Sequence, residues 1–403
     1  MSRRGLFQGV LCAAIATLGA FPALGAGRTA AAAPPAVRPP DDPLFKYQWH
    51  LPAMQIPAAW AVSRGAGATV AVLDTGVAYA DRGPYRRAPD LAGTRFAAGR
   101  DFVAGDAFPD DVPRSGDRRS HGTQIAAIIA QTAGNGIGGA GVAPEAAIMP
   151  VRVLNPDLSG SAKVIARGLR FAADQGADIA NVSIAGPERS RVLEDAVDYA
   201  WAKGVTIVAA AGNDGKASVS WPAAYPKVIA VGAVGRDGKR APYSNYGAAL
   251  DLVAPSGAGS DVETGNGPAD GVLAQTLKGR PGSFCFCFTA STSAAAAQVS
   301  GVAALLVGSG RATGPAAVRR ALLAGAKDLR PPGPDPEHGA GMVQALDTLT
   351  AARPASAMRP TQAPSGSVSS SPAVWLPLGL AGAGLAALAA FFLLRRGHRG
   401  RAA

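Results

Sequence analysis

Three residues of this chain have the right types for nucleophilic catalysis, and each stands at the edge of an apolar stretch: Asp74, His121 and Ser293. Ser293 lies in Thr289-Ala-Ser-Thr-Ser-Ala-Ala-Ala-Ala-Gln-Val-Ser-Gly301. An alternating run, Ser283-Phe-Cys-Phe-Cys-Phe288, precedes it, and a long Ala/Val/Leu run ending near Val307 follows. This pattern predicts a strand, a tight turn and a buried helix whose first residue is Ser293. Unpaired N–H groups and the positive end of the dipole surround a hydroxyl in that position. Negative charge developing beside it is stabilised. Asp74 closes the apolar run Thr69-Val-Ala-Val-Leu-Asp74, and His121 opens Ser120-His-Gly-Thr-Gln-Ile-Ala-Ala-Ile-Ile-Ala130. A serine hydroxyl is a weak nucleophile until a base removes its proton. The three residues therefore suggest an attacking Ser293, a proton-accepting His121 and an Asp74 that holds the imidazole tautomer. Each also has an ordinary reading alone: a helix-capping serine, a capping histidine, a turn aspartate. The other histidines sit in an N-terminal segment (His50), a Pro/Gly-rich loop (His338) and a basic tail (His398).

These residues need a scaffold, and the intervening chain suggests one. Residues 69–73, 147–154, 178–184, 206–211 and 228–234 are rich in Val, Ile and Ala and lack alternating polarity, as strands buried on both faces do. Helices are expected at about 122–131, 161–175, 190–203, 293–308 and 314–324, with a short one at 56–62 and a terminal one at 339–346. This alternation predicts a three-layer α/β/α domain with a mainly parallel sheet. In such sheets sites form at the carboxyl ends of strands, where Asp74 and Asn213 both fall.

The motifs Asp74-Thr-Gly, His121-Gly-Thr, Thr292-Ser293-Ala-Ala leading to Gly301, and Ala210-Ala-Gly-Asn213-Asp-Gly215 occur in that order. With Trp221-Pro-Ala-Ala-Tyr-Pro-Lys-Val-Ile-Ala-Val-Gly-Ala-Val234, they resemble the subtilisin-type serine peptidases, the subtilases, over about residues 44–350. The chain order Asp, His, Ser is that of subtilisin. The resemblance implies a polypeptide substrate, an acyl-enzyme and no cofactor for the chemistry. It implies that Asn213 donates to an oxyanion together with the Ser293 N–H. It further implies that Ser183, Ile184, Ala185 and Gly186 form the strand edge on which a peptide lies. It also implies a structural calcium at Asp90 and Asn135. The chain departs from the family pattern at Ser291, where Gly is usual, at Ala297, where Pro is usual, and at Ala185, where a second Gly is common. Glycine permits close approach, so Ser291 is expected to crowd the oxyanion pocket. These departures support an alternative, a pseudo-peptidase that binds peptides or stabilises a secretion complex without cutting.

Charge and the chain ends bound the remaining possibilities. The formal net charge is +11, but the arginines lie at the ends and in loops. With no basic helix and no basic-aromatic interleaving, a nucleic-acid partner is excluded. Of the 3 cysteines, Cys12 falls in a segment expected to be removed. Cys285 and Cys287 are read as small buried apolar residues, because a bridge between residues two apart would be strained. Residues 1–26 read as a secretory signal peptide and 27–43 as a disordered Pro/Ala-rich segment. The catalytic domain spans 44–350, followed by a Pro/Ser-rich linker at 351–373. Residues 374–394 carry no charge and are long enough to span a bilayer, and a basic cytoplasmic tail fills 395–403. The expected location is the cell membrane, crossed once, with the catalytic domain extracytoplasmic. This layout resembles the mycosins, subtilases of actinobacterial type VII secretion, which implies a secretion complex as partner.

Overall fold

The computed structural model describes residues 40–113, 119–259, 270–329 and 332–352. The expected signal peptide, most of the Pro/Ala-rich segment, and the linker, span and tail beyond residue 352 lie outside the described residues. Among the described residues, no helix is long and apolar enough to cross a membrane.

The elements follow in chain order as α1 (His50–Ala53), α2 (Ile56–Ala59), β1 (Thr69–Asp74), β2 (Arg95–Phe96), β3 (Arg100–Asp101), α3 (Gly122–Ala130), β4 (Ala147–Arg152), α4 (Ala162–Asp174), β5 (Ile179–Val182), α5 (Arg191–Ala202), β6 (Thr206–Ala210), β7 (Val228–Val234), β8 (Leu252–Pro255), β9 (Val272–Leu277), β10 (Phe284–Thr289), α6 (Thr292–Gly308), α7 (Pro315–Ala324) and α8 (Ala345–Ala351). The described strands β1 to β8 form one sheet in the order β2-β4-β1-β5-β6-β7-β8, with β3 also on β4. All its pairings are parallel, and β1 lies between β4 and β5 with Asp74 opposite Arg152.

The sheet explains its own sequence. Val70 to Leu73 are fully buried because helices cover both faces. On one face α3 and α6 pack over Val70, Val72, Val208 and Ile229. On the other, α4 and α5 cover Ala71, Leu73, Ile207 and Ala230. Helix α6 is buried from Thr292 to Leu306, so it carries an Ala/Val/Leu run rather than an apolar stripe. Such a helix cannot present a polar side chain without a reason, and Ser293 is only 6% exposed.

The structure differs from the sequence reading in several details. Strands β2 and β3, of 2 residues each, are too short for a pattern to betray them, and the sequence reading also lacks β8 and β9. The terminal helix starts at Ala345, because Gly339 to Val343 run through a turn and pair with Lys327 and Val253. Helix α6 starts at Thr292, with Ser291 as its cap. The cysteines also require correction. Cys285 and Cys287 are half-exposed, not buried, and their sulfurs are joined as a disulfide. Both lie on β10, where residues two apart share one face. Their strand pairs antiparallel with β9.

Candidate active site

Strand β1 ends in Asp74, whose carboxylate is fully buried at the carboxyl edge of the sheet. The Thr75 N–H donates to its Oδ1 at 2.7 Å. His121 stands as the N-cap of α3 and reaches across 47 residues of sequence, so that Nδ1 lies 2.8 Å from both oxygens of Asp74. A carboxylate can only accept, so Nδ1 carries the proton and the lone pair belongs to Nε2. This contact needs Gly122: a Cβ there would stand 2.1 Å from the Gly76 carbonyl oxygen. His50, the imidazole most deeply buried, is pushed down to about 3 by that burial and stays neutral.

Ser293 is the second residue of α6, where N–H groups have no intrahelical carbonyl. Its hydroxyl donates to the Ser183 carbonyl at 3.3 Å, and the Ser183 hydroxyl donates to the Ser293 carbonyl at 3.1 Å. A polar chain backs this contact: the Asn181 amide donates to Ser183 Oγ, and Ser300 donates to Asn181 Oδ1. Strand β5 and helix α6 are thereby joined at the point where Ser293 emerges.

Asn213 follows β6 in an exposed turn. Its Oδ1 accepts from the Thr292 N–H at 2.8 Å and from Thr292 Oγ1 at 2.9 Å. Two donors on the oxygen turn the amide NH₂ away from Thr292. Asn245 holds the same turn, since its Oδ1 accepts from the N–H groups of Asp214 and Lys216. Asn245 did not stand out in the sequence, and Thr292 did so only as part of a motif, with no role given to it.

Ser291 does not crowd this region as expected. Its backbone is extended, with φ −168, which any residue adopts, and its hydroxyl accepts from the Ala294 N–H and so caps α6. Ala297 is fully buried in the first turns of that helix, where alanine suits the helical backbone. Within the expected peptide-binding edge, Ser183 to Gly186, one residue has its main chain engaged elsewhere. Gly186 already exchanges both main-chain hydrogen bonds with Trp221, at 2.7 and 2.9 Å. Ile184 and the exposed Ala185 remain.

The structure brings Asp90 and Asn135 together, but not with calcium chemistry. The carboxylate of Asp90 accepts from Asn135 Nδ2 at 2.7 Å, from the Gly139 N–H at 3.2 Å and from Gln131 Nε2. Asn135 cannot simply turn its oxygen inward, because its Oδ1 accepts from the Ile137 N–H. Nearby, Asp42 accepts from the N–H groups of Gly134, Asn135 and Gly136. Calcium requires a cage of oxygens, whereas these carboxylates face N–H donors. Burial also pushes the Asp90 carboxyl up to about 6. Among the described residues, no cluster of three or more His, Cys, Asp or Glu is placed to hold a metal ion. As placed, the side chains of Asp42, Asp90 and Asn135 offer no oxygen cage for calcium. A ligand that bound only the folded state would raise the unfolding temperature. Excess calcium and excess EDTA are expected to give the same melting temperature to within about 1 °C, read by differential scanning calorimetry; a shift of roughly 5 °C would contradict the N–H cradle.

Known proteins agree with this architecture. The chain is 39% identical over 217 residues to thermitase of Thermoactinomyces vulgaris, covering 54% of this chain and 73% of that enzyme. It is 42% identical over 208 residues to subtilisin Savinase of Lederbergia lenta, covering 51% and 71%. A thermophilic serine proteinase of a Bacillus strain matches over 254 residues at 39% identity, and there the chain spans 55% of the relative's length. A solved protease structure from Pseudoalteromonas arctica superposes with a TM-score of 0.69 at 31% identity, covering 78% of this chain and all of that one. Residues 65–341, more than half of the sequence, match the model of the subtilase family. The chain belongs to the subtilase family and is a serine endopeptidase.

Proposed function

We propose that this protein is a membrane-anchored, extracytoplasmic endopeptidase that works through Asp74, His121 and Ser293. The observation that carries the reading is the pair of 2.8 Å contacts from His121 Nδ1 to a fully buried Asp74 carboxylate. That contact leaves the Nε2 lone pair to act as base. The Ser293 hydroxyl turns from the Ser183 carbonyl and passes its proton to Nε2 as Oγ attacks the peptide carbonyl carbon. Asp74 stabilises the imidazolium without taking the proton. The oxyanion of the tetrahedral intermediate receives the Ser293 N–H and the Asn213 NH₂. Its collapse expels the amine, which takes the proton back from Nε2, and leaves an acyl group on Ser293. Water then repeats the sequence in reverse. The extended substrate pairs with the main chain of Ile184 and Ala185.

Anchoring rests on the sequence: an apolar run at 374–394, followed directly by Arg395, Arg396 and Arg399. The export signal at 1–26 supports the same orientation. A secretion complex is the partner that this layout suggests. The test is fractionation of cells labelled with a fluorescent phosphonate. The labelled full chain should resist alkaline carbonate extraction, and a chain ending at residue 352 should be released. Label on Ser293 in a freely soluble full chain would overturn the anchoring and leave the chemistry standing.

A further inference from the structure

Between Asp74 and His121 lies a carboxylate that the reaction above does not use. Asp111 is 1% exposed. Its Oδ1 accepts from Thr75 Oγ1 at 2.8 Å, and its Oδ2 accepts from the Thr123 N–H at 3.0 Å and from Thr123 Oγ1 at 2.6 Å. Each hydroxyl then accepts in turn: Thr75 Oγ1 from the Gly122 N–H at 2.9 Å, and Thr123 Oγ1 from the Ala78 N–H at 3.0 Å. Thr75 is the residue after Asp74, and Gly122 and Thr123 are the two after His121. No ion pair is found for Asp111 among the described residues, and the charge that acts on it is the like charge of Asp74. Burial accordingly pushes its carboxyl up to about 6.

We propose that Asp111 is a positioning residue that sets the Asp74–His121 distance by tying the end of β1 to the start of α3. The inference rests on the reading of Asp74 and His121 as the working pair. The bonding explains why a charged carboxylate is retained in so buried a place. Three donors converge on it, and only an acceptor with two oxygens can satisfy them all. An asparagine would present NH₂ to one side. If that side is Thr75, its hydroxyl proton loses its acceptor while its oxygen still faces the Gly122 N–H. The turn after Asp74 and the helix start would then separate by a fraction of an ångström. A role confined to stability would act differently, since a capping anion at a helix N-terminus changes the melting temperature and leaves turnover of the folded enzyme alone.

The test uses the full chain, read by kcat, KM and the His121 proton resonance. Asp111→Asn should lower kcat by roughly 10–100-fold with KM changed less than about twofold, the signature of misplaced groups rather than lost binding. The downfield proton resonance of the His121 Nδ1–H should shift or broaden in the same variant. Thr75→Val should reproduce both effects, and Thr75→Ser, which keeps the hydroxyl, should bring kcat back to within a few-fold of the parent. A folded Asp111→Asn protein with parent kcat and an unmoved resonance overturns the proposal. Should that variant not fold, the same result for folded Thr75→Val overturns it. Asp74→Asn separates the two levels: if it is inactive while Asp111→Asn is unaffected, only the positioning role falls. Parent-like activity in Asp74→Asn removes the working pair itself.

Discussion

Ser293→Ala is expected to lower kcat by on the order of 10⁶-fold while leaving the protein folded. The stability side follows from the contacts. The Ser293 hydroxyl makes one long hydrogen bond, 3.3 Å, to the Ser183 carbonyl. The cap of α6 comes from Ser291 and not from Ser293. Removing Oγ therefore costs about 1 kcal/mol at most. The activity side follows from the chemistry, since the variant lacks the oxygen that would attack the peptide carbonyl. Peptide affinity should persist, because the Ile184–Ala185 edge is untouched. Stopped-turnover assays on a quenched peptide, with binding measured separately by fluorescence anisotropy, give both numbers. A parent protein that turns over no faster than Ser293→Ala would make the chain a tethered peptide-binding module.

The second large effect is expected at Asp74. In Asp74→Asn the Thr75 N–H, 2.7 Å from Oδ1, keeps the amide oxygen on its own side. The amide nitrogen then takes the place of Oδ2 and faces His121 Nδ1. Two N–H groups cannot face each other, so the imidazole shifts its proton to Nε2, the nitrogen that must accept from Ser293. The ring stays in place and the base is lost. A fall in kcat of about 10⁴-fold near neutral pH is expected, with KM little changed. Labelling by a phosphonate should slow in parallel, because it depends on the same proton transfer. A loss below roughly tenfold would show that the 2.8 Å contact is not what orients the base.

Much of this architecture was legible in the sequence because it depends on local pattern. Val70 to Leu73 or Val228 to Val234 can only be strands covered on both faces, and the structure places them so. A polar residue closing such a strand must lie at the carboxyl edge of the sheet, which brought Asp74 and Asn213 to one side. The long apolar run after Ser293 gave a helix buried all round. The motif glycine Gly122 was visible as a residue type, and the Gly76 carbonyl, 2.1 Å from where its Cβ would stand, supplies the reason.

What tertiary structure alone decided is the direction of each polar contact. Sequence identifies Ser291 as a departure from a glycine, but only the packed helix shows its hydroxyl turned back to the Ala294 N–H. The alternating run already reads as a strand, but only the structure shows the sulfurs of Cys285 and Cys287 joined. Asp90 and Asn135 were found as neighbours, yet an asparagine can offer oxygen or nitrogen, and the Ile137 N–H settles that choice. Asp111 had no motif at all, for its partners lie 36 residues before it and 12 after it. Periodicity and propensity act between residues a turn or two apart, so they mark elements and their ends. Hydrogen-bond direction is set by whatever faces a group across the fold, and that becomes defined only when β1 and α3 close on one another.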